Sequence, residues 1–325
     1  MSQETLTNLD ELLWRRFGTP RSIDTPEQLL AKLAMASQED TGTWCPTVAG
    51  VLMACRKPER FLPGAFIQAV AYQGSVVVPQ AGSIYQRDAR DITGPLDQQI
   101  FDACDFVRKN MRTAARKGQE GGREDLPQYD MLAIFEAVTN AVAYRDYSMA
   151  GSKIRLRLFD DRLELYTPGP FLNTMTPESL PYRQASRNEA VTSLLARCPV
   201  DRDEFATHRS HIMDRRGEGV PIILSRSEEI IREDTGIPPD RRIRAHADDL
   251  RDGWILKWIG SASSMNGIQR RDVSPTTFEA HGPGTFSSLV DGRGSSSGSR
   301  RCHAGPIRRN AGQPLRYSPP LRRGR

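Results

Sequence analysis

Glu136 and Asn140 are the residues on which a chemical reading of this chain turns. They lie in Tyr129–Tyr147, YDMLAIFEAVTNAVAYRDY, which reads as one helix and the turn after it. A spacing of four puts them one turn apart on a single helical face. Between Met131 and Tyr144, Glu136 is the one charged residue, and before Tyr144 the other polar side chains are Thr139 and Asn140. A helix apolar nearly all round is normally a buried one. A lone buried carboxylate is unfavourable unless it is paired, protonated or facing a polar cavity. A carboxylate and an amide oxygen on one face suit an Mg-nucleotide site, where the first orients a water and the second meets a hard cation. The structural reading of the same residues is a core helix whose Glu136 pairs with an arginine of another segment. Structural ion pairs are common, and spacing alone favours that reading.

The elements that would position this helix can be read on both sides of it. Leu9–Phe17 is a short amphipathic helix, with Leu9, Leu12, Leu13 and Phe17 on one face. Asp24-Thr25-Pro26-Glu27 starts a second helix, which runs to about Ala36. Thr47–Ala54 reads as a short apolar helix, Ala65–Tyr72 as a strand, and Val76–Val78 as an extension of that sheet. Pro95–Met111 is a helix with Leu96, Ile100, Cys104 and Val107 on its buried side. The charged, Gly-rich Thr113–Asp125 reads as a loop or hinge. Lys153–Phe159 and Arg162–Tyr166 alternate polar and apolar residues around Asp160-Asp161, the pattern of a β-hairpin. Thr167-Pro168-Gly169-Pro170 breaks the second strand, and Arg187–Cys198 is again helical. Arg215-Arg216-Gly217-Glu218-Gly219 is a glycine turn leading into a Val220–Leu224 helix. From Ile231 the pattern fades, although Ile243–Trp258 is compatible with one more helix or strand. From Ser261 the chain is rich in Ser, Gly, Pro and Arg and reads as disordered.

Composition narrows the class. The 325 residues suffice for about two domains. A hydrophobic share of 38% permits a core, while a mean hydropathy of −0.53 implies much loop. Net charge +5 and a pI near 9.0 permit nucleic-acid contact without requiring it. The five cysteines are scattered with no CxxC, which argues for a reducing compartment and against a disulfide framework or zinc ribbon. The acidic start MSQETLTNLDELL is not a secretory signal, and no stretch approaches the ~18 apolar residues of a membrane span. The expected location is cytoplasmic. No GxxxxGK[ST] occurs, so there is no P-loop and no helicase motor. His208 and His211 have no third ligand close in sequence and read as solvent-exposed.

Four segments in order carry a family likeness: Glu136–Tyr147, FDDRLELYTPGPF (Phe159–Phe171), RNEAVTSLLA (Arg187–Ala196) and RRGEGVPIIL (Arg215–Leu224). Together they resemble the RecG C-terminal-like ATPase domain of Schlafen/AlbA-type transcriptional regulators, a divergent branch of the GHKL (Bergerat-fold) ATPases. Thr47–Gly74 and Gly94–Met111 resemble the segment that precedes the ATPase in that family. The likeness implies an α/β fold: a small N-terminal α/β region (1–112), an incomplete Bergerat-like sandwich of helices on a mixed sheet (126–231), and a degenerate or disordered tail (232–325). A truncated or frame-shifted end is expected, as is the lack of the AlbA-like domain that usually comes first.

The resemblance implies ATP and Mg2+ as cofactors. Glu136 would polarise the attacking water and Asn140 would bind Mg2+. Gly217 and Gly219 would let backbone N–H groups approach the phosphates, although GEG alone reads as a helix-capping turn. Pro168 and Gly169 fall where related ATPases make the turn on the adenine side. Arg145 and Asp146 either touch nucleotide or form a local structural pair. The chain departs from the family in three places. TPGP replaces the DxGxG box that carries the adenine-reading Asp, Tyr144 stands where the family has His, and Glu189 where it has Pro. Three functions follow: an ATP-binding, weakly hydrolysing module of a DNA-binding transcriptional regulator, a non-catalytic pseudo-ATPase scaffold, or a non-functional remnant. The expected partners are ATP, DNA reached through a partner or the basic segments, and a second copy in a homo-oligomer. No membrane contact is expected.

Overall fold

The computed structural model describes residues 6–18, 23–77, 84–117, 121–170, 185–200, 209–214, 216–232, 243–246 and 253–259, with single positions 172, 179, 182 and 205. All of them belong to the first of two units, 1–268 and 269–325. The disordered tail expected from Ser261 lies outside the described residues, as does His208.

The helices are α1 (Glu11–Arg15), α2 (Pro26–Lys32), α3 (Val48–Ala54), α4 (Leu96–Asn110), α5 (Met131–Tyr144), α6 (Glu189–Leu195) and α7 (Gly219–Arg232). The strands are β1 (Ala36–Gln38), β2 (Trp44–Pro46), β3 (Ile67–Tyr72), β4 (Gln86–Ile92), β5 (Thr113–Lys117), β6 (Arg123–Pro127), β7 (Ile154–Leu158), β8 (Arg162–Pro168), β9 (Ile243–His246) and β10 (Gly253–Ile259). Six strands form one mixed sheet in the order β4-β3-β7-β8-β10-β9. β3 and β7 run parallel and the other neighbours antiparallel. The fold is α/β, as the sequence implies.

Alternation decides which face of the sheet is covered. Ile67, Ala69 and Ala71 of β3, Ile154, Leu156 and Leu158 of β7, and Leu163 and Leu165 of β8 are buried in the main core. Side chains two apart share a face, so α4 packs over β3, β4 and β7 while α5 packs over β8. The intervening Arg155, Arg157, Arg162 and Glu164 are half-buried on the other face. There Tyr72 stacks on Phe159 at 5.0 Å between ring centroids, and Arg155 lies over Tyr166 at 4.4 Å.

Local chemistry fixes the helix ends. Thr25 and Gln28 form a reciprocal capping box with Pro26 in the first turn of α2. Asp130 caps α5, its carboxylate accepting from Ala133 N at 2.8 Å. Eleven consecutive residues of α5, Ala133–Ala143, are buried, which is what an apolar helix inside a fold requires. The Asn188 amide donates to the carbonyls of Ala143 and Arg145 at 2.9 and 2.7 Å, tying the end of α5 to the start of α6.

Three stretches differ from their expected form. Thr113–Asp125 is not a plain hinge: β5 and β6 pair from Thr113↔Pro127 to Lys117↔Arg123. Gly121, at φ 91, starts the return strand's approach, and backbone bonds hold a ribbon that carries no apolar alternation. Val76 and Val77, expected to extend the sheet, are exposed and outside its strands, and the charged β4 pairs with β3 instead; Val78 lies outside the described residues. The sheet also continues past Ile231: where Ile243–Trp258 is compatible with one more helix or strand, two strands form, β9 and β10. Among the described residues no helix is long and apolar enough to cross a membrane.

Candidate functional site

The inward-pointing polar pair of α5 meets the start of α7. Glu136 and Asn140 are 5% and 9% exposed, and α5 and α7 pack against each other along this face. A Cβ added at Gly219 would lie 2.8 Å from Glu136 Oε2, 3.1 Å from Asn140 Nδ2 and 3.6 Å from Asn140 Oδ1. The site therefore needs glycine for space. Gly217, at φ 80, turns the chain into the helix, and the Glu218 carbonyl accepts the first helical bond from Ile222 N at 2.8 Å. The first turn of a helix leaves backbone N–H groups without intrahelical partners. Pro221 has no N–H, so Gly219 and Val220 are the donors that the turn offers.

Glu136 has a cation beside it. The Arg209 guanidinium forms an ion pair with Glu136 Oε1, and the two side chains are 15% and 7% exposed. This is the contact that the structural reading of Glu136 calls for. Arg209 is held in place by its own segment: Val200 N donates to Ser210 O, and Ile212 N to Cys198 O, both at 3.1 Å. Burial raises the Glu136 carboxyl above its ordinary value. Arg209 opposes that rise, and the carboxylates of Asp214 and Glu218 add to it.

A second cluster lies at the far end of α5. Asp146 N donates to Pro168 O at 2.8 Å, joining α5 to the turn after β8. Gly169 takes φ +107, and a Cβ there would lie 2.6 Å from Asp146 Cβ. Arg187 Nη1 donates to Asp146 Oδ2 at 2.8 Å, and Nη2 to Pro170 O at 2.9 Å. Of the two readings of Arg145 and Asp146, the local pair with each other does not form as an ion pair. Arg145, 2% exposed, turns into the fold, where Nη2 donates to Ser152 O at 2.7 Å and the guanidinium lies over Tyr147 at 4.8 Å. Asp146 turns to Arg187. Burial lowers the Arg145 pKa.

Asp146 gives a pH-dependent prediction. The Ser148 hydroxyl, donating at 2.6 Å, holds the Asp146 carboxyl below its ordinary 3.8, with help from the Ser148 N–H and Arg187. A depressed folded value gives stability that is present above 3.8 and lost as pH falls through the folded value. Asp146→Asn is expected to lower stability at neutral pH by about 1–2 kcal/mol. In melting curves taken across pH, the gap from wild type should close as pH drops below 3.8. A gap independent of pH would contradict the assignment.

The structure thus brings Glu136, Asn140 and Gly219 together at one point, and Asp146, Pro168 and Gly169 at another. Arg187, Asn188 and Arg209 were not singled out by sequence reasoning. Arg187-Asn188 has a visible signal, a polar pair directly before a helix. Arg209 sits in a polar run with none. His211 contacts Ser210 Oγ at 2.9 Å, and no cluster of metal-ligating side chains occurs among the described residues.

Comparison with known proteins bears on this arrangement. Residues 151–242 match the family described as "Putative ATP-dependent DNA helicase recG C-terminal". That stretch is similar to a RecG C-terminal-like, ATPase-like domain and includes Pro168, Gly169, Gly217 and Gly219, while Glu136 and Asn140 precede it. No curated protein matches the chain. The crystal structure of the DIP2311 protein from Corynebacterium diphtheriae superposes with a TM-score of 0.53 at 18% identity. The match covers 80% of this chain and 46% of that one, so the chain spans about half the length of the solved relative. At this identity the likeness is one of fold.

Proposed function

We propose that the chain is an ATP-binding, Mg2+-dependent module that hydrolyses ATP weakly and serves a DNA-linked transcriptional regulator. The observation that carries this reading is the approach of Gly219 to Glu136 and Asn140, where a single Cβ would fill the space. The donor set fits the cofactors. Asn140 offers an amide oxygen of the kind that hard cations select. The Gly219 and Val220 N–H groups lie at a helix start, where anions bind. Glu136 is a buried carboxylate able to orient a water and accept its proton. Mg-ATP, when bound, supplies the anhydride bond and a metal that neutralises the charge developing on the phosphates. Asp146, Pro168 and Gly169 shape the adenine side in place of a DxGxG box, and Arg145 holds that end of α5 from within. The regulator and DNA roles rest on the resemblance alone.

The second reading is a pseudo-ATPase scaffold that acts by protein contacts. The Glu136–Arg209 pair favours it, since a neutralised carboxylate is a poor base.

Thermal unfolding of the full chain with and without Mg-ATP tests the proposal. At about 100 times its dissociation constant, ATP should add about 2.7 kcal/mol of stability, worth roughly 2–4 °C per kcal/mol in a protein of this size. An unmoved transition at millimolar Mg-ATP, in a demonstrably folded chain, would sink nucleotide binding.

A further inference from the structure

We propose that Arg209 distinguishes a nucleoside triphosphate from a diphosphate by exchanging Glu136 for the terminal phosphate; this rests on the nucleotide reading above. In the structure Arg209 pairs with Glu136 Oε1, while the start of α7 at Gly219 faces Oε2 of the same carboxylate. A phosphate held by the Gly219 and Val220 N–H groups therefore approaches a carboxylate that already carries a guanidinium.

Charge decides what such an anion meets. Among the described residues, three carboxylates act here, Glu136 and the neighbouring Asp214 and Glu218, and Arg209 is the cation that acts on Glu136. Arg209 thus offsets part of the repulsion that these carboxylates exert on a triphosphate. A guanidinium is a planar fork that binds phosphate oxygens in pairs and is only weakly hydrated. Arg209 is also less enclosed than its partner, at 15% against 7%, so it can turn without dragging the core with it. Its backbone stays in place through the bonds of Ser210 and Ile212 to Val200 and Cys198. The transfer does two things at once: it counters the charge of the third phosphate, and it uncovers Glu136 for the water. A diphosphate offers no terminal group to draw Arg209 away, and Glu136 remains covered.

Calorimetric titration of the full chain with Mg-ATP and Mg-ADP tests this. The wild type should favour ATP by about tenfold, the worth of one or two charge-assisted hydrogen bonds. Arg209→Gln should abolish the preference, chiefly by weakening ATP. Because that change leaves Glu136 without its cation, Glu136→Gln provides an independent arm. It frees Arg209 beforehand and should tighten ATP while leaving ADP unchanged. Equal weakening of both nucleotides by Arg209→Gln, or an unaltered ATP-to-ADP ratio in Glu136→Gln, would overturn the assignment while leaving nucleotide binding intact. Failure of the folded wild type to bind either nucleotide would overturn both readings.

Discussion

Glu136→Gln is expected to lower ATP turnover by about 10²–10⁴-fold, the range for a lost general base. The amide keeps the shape of the carboxylate but can neither take a proton nor hold Arg209 by charge. The site motivates the expectation twice. Burial raises the carboxyl's affinity for a proton, and Glu136 Oε2 faces the helix start at which phosphate would bind. If the residue were only the partner of Arg209, breaking a buried pair would cost about 3–5 kcal/mol of stability. Arg209 is partly exposed and can turn to water, so the loss should fall well short of that range. Single-turnover hydrolysis and thermal unfolding of the same preparation separate the two roles. Wild-type turnover in a cleanly folded variant would exclude catalysis by Glu136.

Gly169→Ala is expected to destabilise the chain by about 3 kcal/mol or more, from backbone strain and overpacking together. At φ +107 an L side chain is strained whatever the space around it. Here the space is also filled, because the new Cβ would lie 2.6 Å from Asp146 Cβ and 3.2 Å from Asp146 N. That nitrogen bonds to Pro168 O, so β8 and the end of α5 would have to part. Arg187, which braces Asp146 and Pro170, would move with them. Denaturant titration gives the midpoint, and an unchanged midpoint would refute the strain argument.

What the sequence discloses follows the physics of each segment. α5 is legible because one charge in fourteen apolar-rich residues leaves a buried helix as the sole reading, and the hairpin of β7 and β8 because its alternation matches a half-covered sheet. α4, expected over Pro95–Met111, spans Leu96–Asn110. α7 extends from the expected Val220–Leu224 to Gly219–Arg232; the expectation stops short because the polar run Ser225–Glu229 interrupts the apolar stretch before it resumes at Ile230 and Ile231. β4 reads QRDARDI and is largely exposed. Its pairing comes from backbone bonds to β3, which leave no mark in side-chain pattern. The candidate site behaves alike. Glu136 and Asn140 share one helix, so spacing reveals them. Arg209 meets Glu136 from 73 positions away, and no local rule reports that. Arg145 and Asp146 are adjacent in sequence, yet one enters the fold and the other faces Arg187, because the chain leaves α5 in an extended conformation at Arg145, φ −56 and ψ 144.

The pairing of β10 with β8 has a practical consequence for anyone shortening this chain. The register runs the full length of both strands, from Gly253↔Pro168 to Ile259↔Arg162. A version cut at Ile231, where the sequence pattern fades, would strip β10 from β8 and leave a seven-residue edge of unsatisfied N–H and C=O groups. Such an edge is a template for a strand of another molecule. That strand would register against the backbone of Leu163 and Leu165, whose side chains already face an apolar core. The shortened protein would therefore self-associate, and its oligomers would report the missing strand and say nothing about the native assembly.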